Sequence, residues 1–314
     1  MKTAYTQHLV TYIKGILMGA ADVVPGVSGG TIALITHIYE RLINAIDAVS
    51  ISLILSLFTS RRKEAWDKLD GSFLLALTLG IGTSILLVTG GISWLMEHYP
   101  IPLWAFFFGL ILGSAYVLKN AIDNWSAVSI LMLLVGACVA FGIGLVSPSQ
   151  GSESLIYLFF CGMLVVIAMI LPGISGAFIL ILLGAYGTAL DTVAQIKSFV
   201  FDGFIVFAVM ASGGLVGLKV FAKVLRWLFS NHKNMVLATM TGFLLGSLYK
   251  VWPWKEVTQY YTNSSGERVP LNSVSVFPDA FNADAQLAPA ITAFFLGLIL
   301  LFLLERLRKN KSDA

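Results

Sequence analysis

Two short segments carry the residue types from which a binding site is most readily built. The first reads Ala21-Asp22-Val23-Val24-Pro25-Gly26-Val27-Ser28-Gly29-Gly30-Thr31, and the second Ala168-Met169-Ile170-Leu171-Pro172-Gly173-Ile174-Ser175-Gly176-Ala177. Pro lacks an amide donor and Gly relaxes the chain, so Pro25 with Gly26 and Pro172 with Gly173 each end an apolar helix, and a Ser stands where the next begins. Ser is a preferred N-cap, and a helix's first turn offers unpaired N–H groups and the positive end of its dipole. Ser28, Gly29, Gly30 and Thr31 form one candidate anion site; Ser175, Gly176 and Ala177 form the other. Phosphate is favoured, because Gly lets its oxygens approach the backbone. The plainer alternative has each Ser capping its own helix and each Gly relieving its turn.

Few charges accompany these tips, and an ionisable residue at membrane depth is a functional candidate by default. Asp22 lies three residues before Pro25 and faces the first tip, where it takes up a proton or cation or bonds neighbouring N–H groups. Its counterpart in the second segment is Met169, so the tips differ chemically. His37, Glu40 and Arg41 follow at the end of the returning half-helix. Arg41 either holds a phosphate bidentately or pairs with Glu40 at the interface; Glu40 joins Asp22 as a candidate coupling group. Lys219, Lys223 and Arg226 recur at helical spacing, either lining an anion path or snorkelling as anchors.

The elements that hold these residues are set by composition. Only 12% of the 314 residues are charged and 57% are hydrophobic, against about 25% charged in a soluble domain. The apolar residues come in long runs, which excludes a soluble enzyme, a disordered chain and a secreted disulfide scaffold. Six runs are long enough to span a bilayer: Phe73 to Met96, Pro102 to Lys119, Ala127 to Val146, Phe204 to Leu225, Met235 to Val251 and Leu287 to Leu304. Two others, residues 9–40 and 155–190, are about one and a half spans long and contain the Pro-Gly breaks. They read as re-entrant hairpins, a paired set of full spans being the alternative. Met1 to Lys14 is too polar for a signal-peptide core, so the first apolar segment is expected to be retained.

Positive charge orients this arrangement. With both termini cytoplasmic, sixteen of the 20 basic residues fall inside, and only Lys197, Lys250, Lys255 and Arg268 fall outside, a positive-inside bias. Arg41 to Phe58 is placed on the cytoplasmic interface, and residues 253–286 form an external loop with some local structure. Tryptophans near the span ends read as an aromatic belt. Cys138 and Cys161 sit in apolar runs without the clustering that metal or redox sites need, and the sequence calls for no metal, no cofactor and no nucleic acid.

The two breaks are also a repeat. Tyr39 and Tyr186 each stand fourteen positions after the Pro, and Gly109-Leu110-Ile111-Leu112-Gly113-Ser114-Ala115-Tyr116 echoes Gly242-Phe243-Leu244-Leu245-Gly246-Ser247-Leu248-Tyr249. The expected fold is an all-α polytopic membrane protein of two repeats, 1–150 and 151–314, each a re-entrant hairpin plus three crossings. Three crossings invert the second copy, the construction of many secondary transporters, whose substrate site lies near the midplane. Close helix packing is the plain role of the Gly-xxx-Gly-Ser helices.

At these motifs the sequence resembles the polyprenyl-phosphate transporter (PopT) family. The resemblance rests on the run from Lys14 through Pro25-Gly26-Val27-Ser28-Gly29-Gly30-Thr31, on Tyr39-Glu40-Arg41-Leu42, and on Pro172-Gly173-Ile174-Ser175-Gly176, and it covers nearly the whole chain. It implies a prokaryotic inner-membrane protein that returns undecaprenyl phosphate, the lipid carrier of cell-wall precursors, to the inner leaflet. The expected partner is that polyprenyl-phosphate lipid, its phosphate clasped by the two tips with Arg41 adding charge. The rivals are a membrane-embedded polyprenyl-diphosphate phosphatase, which needs acid and base groups where only Asp22 lies near a tip, and a secondary transporter of a small anion.

Overall fold

In hydrocarbon every backbone N–H and C=O must find its partner inside the protein, and a helix does this without help from neighbours. The apolar runs accordingly become helices. The computed structural model describes residues 2–24, 27–146, 149–262, 268–281 and 284–312. Pro25 and Gly26, where the sequence places the first helix break, lie outside the described residues.

The first half of the chain forms α1 (Lys2–Val23), the short α2 (Gly29–Ile35) and α3 (Tyr39–Ala48). Two small helices, α4 (Ile51–Ser56) and α5 (Arg62–Lys68), lead to α6 (Gly71–Thr83), which passes through a π-helical turn, Ser84–Val88, into α7 (Thr89–His98). Then come α8 (Pro100–Lys119) and α9 (Ala127–Leu145). The second half contains α10 (Leu155–Ile170), α11 (Gly176–Leu182), α12 (Tyr186–Lys197) and α13 (Phe201–Val251), then strands β1 (Lys255–Thr262) and β2 (Arg268–Ser275), and finally α14 (Leu287–Ser312). Side chains explain several starts. Pro100 opens α8, where no amide is needed; the Ser126 and Ser154 hydroxyls accept from the amides of Ser129 (3.1 Å) and Tyr157 (3.4 Å) at the heads of α9 and α10.

Gly71–Val88, Pro100–Lys119, Ala127–Leu145 and Phe201–Val251 are each long and apolar enough to cross a membrane, so the protein is mostly helical and multi-pass. The expected spans Phe204 to Leu225 and Met235 to Val251 both fall within α13, as two helices joined at a kink rather than by a long loop. The first of these helices runs on past Leu225 to Asn231 and the second starts at Lys233, the two meeting at a kink at His232, with φ −140° and ψ 41°. The segment 253–286 holds more order than expected: β1 and β2 pair antiparallel, with an irregular register between Val257 and Tyr260. Two indoles anchor this hairpin region, Trp252 Nε1 donating to the Val276 carbonyl and Trp254 Nε1 to that of Ala285, both at 2.8 Å.

Helix pairs approach closely where glycine removes a side chain. α1 packs on α6, α10 on the first part of α13, α8 on α14, and α9 on the second part of α13. A Cβ at Gly242 would lie 2.1 Å from the Leu133 carbonyl oxygen, and one at Gly109 2.2 Å from that of Phe294. At the centre sits α2, with all seven residues buried. In α11, by contrast, Gly176 alone is buried.

Because the obstacle at Gly242 is backbone, Gly242→Ala is expected to lower stability by about 1–3 kcal/mol, read as a lower melting temperature in detergent. Gly82→Ala, whose Cβ would meet nothing within 4 Å, is the matched control and leaves the melting temperature unchanged or slightly raised.

Candidate functional site

A seven-residue helix is too short to hold itself together, and α2 is fixed at both ends by side chains. Asp22, on the last turn of α1, accepts the Gly29 amide on Oδ1 at 2.6 Å. Ser28, extended at φ −133° and ψ 138°, accepts the Gly30 amide on Oγ at 3.1 Å. The Thr31 amide donates to the Ser28 carbonyl at 2.9 Å. The unpaired amides expected at this tip are therefore already spent. At the far end, the Lys14 ammonium donates to the Thr36 carbonyl at 2.7 Å, where a cation suits the negative pole of the helix.

The two tips interlock. The Ser28 hydroxyl donates to the Met169 carbonyl at 2.9 Å, and the Gly173 amide donates to Thr31 Oγ1 at 3.1 Å. The absent side chain of Gly30 makes room for this contact, since a Cβ there would stand 2.3 Å from the Ile170 carbonyl oxygen. Gly173 turns the second tip at φ +79°, a left-handed conformation open to glycine. Beyond it, Ser175 is buried at the head of α11 but makes no capping bond to its own helix, so this tip is not closed in the way the first one is.

Ser175 faces a cavity of about 20 Å³, with Gly173, Ile174, Phe178, Ser247 and Lys250 among its walls. That is room for a single water. Lys250 rests its ammonium over the Phe178 ring, 4.1 Å from the centroid, and has no carboxylate partner among the described residues. A cation, a hydroxyl without a helix cap and a tight backbone turn thus meet where two helix breaks touch. Such a set has the donors and the charge that an oxyanion would need.

The chain matches the family model described as undecaprenyl phosphate translocase-like over residues 18–269. It belongs to that family. A polyprenyl-phosphate transporter of Vibrio cholerae is 40% identical over 294 residues, covering 94% of this chain and 92% of that protein. A polyprenyl-phosphate transporter of Staphylococcus aureus is 31% identical over 256 residues, covering 78% of this chain and 86% of that protein. No solved structure matches the chain.

Of the residues expected at the two tips, Asp22, Ser28, Gly29 and Gly30 bond to one another within the first, Ser28, Gly30 and Thr31 reach Met169, Ile170 and Gly173 of the second, and Ser175 and Gly176 are buried at the head of α11, with Ala177 exposed at its edge. Arg41 is elsewhere. Its guanidinium pairs with Asp70, at 2.5 Å and 2.8 Å, and covers the Phe73 ring. Glu40 pairs with Lys233 at 3.1 Å, and His37 reaches Glu305 of α14 at 3.1 Å. In the basic row of α13, Asp47 of α3 holds Arg226 at 2.6 Å and Lys219 at 3.6 Å, so that row clamps two helices together.

Sequence reasoning passed over Ser247 and Lys250. They lie three residues apart on one helix face, inside and just beyond the Gly-xxx-Gly-Ser echo that was assigned to packing. The signal was available in the repeat, where Val117 stands in the place that Lys250 takes in the second copy. Outside the spans, Lys255 at the start of β1 donates to the Lys250 carbonyl and lies 3.9 Å from the Trp104 ring centroid. Burial, with the neighbouring Lys250 charge, pushes its ammonium down to about 7.

Two outcomes follow from this geometry. Asp22→Ala leaves the Gly29 amide without its acceptor and is expected to cost about 1–3 kcal/mol, while Asp22→Asn keeps an oxygen there and loses less; melting in detergent separates them. Lys255 in the unfolded chain titrates near 10.4, so between about pH 7 and 10 that state binds a proton which the native state does not. Thermal stability should therefore rise with pH across that window, with Lys255→Met flattening the Lys255 share of the slope.

Proposed function

We propose that this protein translocates a polyprenyl phosphate, in the first instance undecaprenyl phosphate, between the leaflets of a prokaryotic cytoplasmic membrane and so recycles the carrier lipid for envelope synthesis. The observation that carries this reading is the meeting of Lys250 and the uncapped Ser175 at one cavity beside two interlocked helix breaks, in a chain 40% identical to a polyprenyl-phosphate transporter.

In this reading residues 1–150 and 151–314 are inverted repeats, each a re-entrant hairpin and three crossings, with both termini cytoplasmic. The packing supports it. The third crossing of each repeat lies on the second crossing of the other, α9 on the latter part of α13 and α14 on α8, while α1 with α6 and α10 with the first part of α13 form matching pairs. Each tip leads into a seven-residue helix, about 10 Å long and so far short of the ~30 Å hydrocarbon core. The chain then bends by 111° between α11 and α12.

A lipid translocase must carry a phosphate through hydrocarbon while its tail stays in lipid, which calls for a polar site open sideways between helices. The second tip receives the headgroup: Ser175 with the amides of Gly176 and Ala177 meets the phosphate oxygens, and Ser247 and Lys250 complete the shell. A phosphate exceeds the present cavity, so the tips part as it enters. Parting releases Ser28 and Thr31 from Met169 and Gly173 and turns them toward the phosphate. Asp22 couples this step to a proton, because its carboxylate and the phosphate compete for the amide of Gly29; protonation weakens Asp22 as an acceptor and yields that donor. Glu40 and Arg41 line the cytoplasmic end of the path, where the headgroup leaves.

A leaflet-accessibility assay with undecaprenyl phosphate in liposomes containing the purified protein tests this, with and without pH and sodium gradients. Lys250→Met is expected to slow transfer roughly 10- to 100-fold through loss of a charged hydrogen bond, with Lys250→Arg retaining more, and Asp22→Asn should abolish the response to the pH gradient. Wild-type rates in the Lys250→Met protein would remove the site assignment. Phosphate release from undecaprenyl diphosphate, or uptake of a small anion without lipid transfer, would replace the function.

A further inference from the structure

Beside the latter part of α13 lies an open groove of about 410 Å³, walled by Phe108, Leu248, Tyr249, Trp252, Val276 and Phe277. Its size falls in the range of ligand pockets, about 300–1,000 Å³, and its lining is almost wholly apolar and aromatic. The chain leaving β2 forms one wall and is tied down on both sides, by the Trp252 bond to the Val276 carbonyl and by the Ser275 hydroxyl donating to the Tyr249 carbonyl at 3.3 Å. Phe277 nevertheless remains 72% exposed, although it belongs to the segment between spans.

The charge beside this groove is uncompensated. Lys255 faces Ser275 across the hairpin, on the same side of the ribbon, and Ser275 is itself part of the groove wall. Trp104, on which Lys255 rests, is one helical turn before Phe108. Lys250 follows Tyr249 directly, and its carbonyl accepts from Lys255. Neither lysine has a carboxylate partner among the described residues, whereas Lys219, Arg226, Lys233 and Arg41 all do. Two adjacent lysines set on aromatic rings suit a dianion, whose charge in turn favours the ammonium form of Lys255. A phosphate monoester carries about −1.5 to −2 at pH 7, more than the single charge of a phosphodiester lipid.

We propose that this groove is a loading site, in which the first isoprenoid units of a polyprenyl phosphate lie under the hairpin while Lys255 and Lys250 hold its phosphate monoester before it passes to the second tip. The inference rests on the translocase reading. It extends that reading by separating capture, at Lys255 and the groove, from transfer, at Ser175 and the tips, with Lys250 shared between them.

The full chain in liposomes of phosphatidylethanolamine and phosphatidylglycerol, given a polyprenyl phosphate with a photoreactive group in its first isoprenoid units, is expected to be labelled in the peptides containing Phe108, Trp252 and Phe277. Undecaprenyl phosphate should suppress that labelling and excess phosphatidylglycerol should not. Lys255→Met is expected to raise the half-saturating lipid concentration roughly tenfold while the saturating transfer rate stays within about twofold, and Lys255→Arg to restore the wild-type value. Labelling spread evenly over the lipid-facing helices, equal competition by phosphatidylglycerol, or a fall in the saturating rate of Lys255→Met alone would overturn the loading site. If the wild-type protein moves polyprenyl phosphate but the groove is not labelled, this inference alone fails; if it moves none, the translocase reading fails first.

Discussion

A helix that ends inside a buried core leaves backbone groups that water cannot reach, and in this protein the residues beside two such ends satisfy one another. Ser28 gives its proton to the Met169 carbonyl, and Thr31 takes that of the Gly173 amide. The first break also draws on Asp22, which holds the Gly29 amide. Much of the remaining architecture serves this contact. A helix of seven residues, entirely buried, can exist at the centre because its caps are supplied and because glycines let the flanking helices close around it.

The same cost of isolated charge away from water sorts the ionisable residues. Near α3 the cations are matched: Asp47 with Arg226 and Lys219, Glu40 with Lys233, Arg41 with Asp70. These pairs bind α3 to α13 and to the turn before α6. Near the hairpin the pattern reverses, and Lys250 and Lys255 rest on aromatic rings and a carbonyl. One end thus holds its cations on its own carboxylates, and the other leaves two cations on aromatic rings and a carbonyl.

The two tips are unequal for a related reason. Tip one is closed by a carboxylate and a hydroxyl, whereas tip two has a serine that caps nothing and a lysine across a water-sized cavity. A phosphate would find its donors ready at the second tip and occupied at the first. Any ligand that uses both must displace internal hydrogen bonds, and a site built in this way discriminates through the bonds its ligand restores. Only a group with several acceptor oxygens can replace Asp22, Met169 and the Thr31 contact together.

Composition by itself determined that this chain lives in a membrane, because 12% charge cannot clothe a soluble surface. The break at Pro172 and Gly173, the recurring serines and most span limits were also legible, since they depend on a residue and its near neighbours. The tightness of the junction within α13 was harder to see: the polar stretch 226–234 reads as a loop, yet the two helices meet at a kink at His232 alone. The hairpin of β1 and β2 lacked a strict alternation, and its register slips account for that. Tertiary structure alone decided which donors are spent and which cations lack partners. Arg41 looked like a phosphate ligand from its place in a motif, but Asp70, 29 residues later in the chain, claims it. Lys250 looked like one more charge at a span end, yet it faces Ser175, because the helix that bears it packs beside the second break. Helical periodicity fixes where a side chain points on its own helix; what it meets there depends on residues far away in the chain.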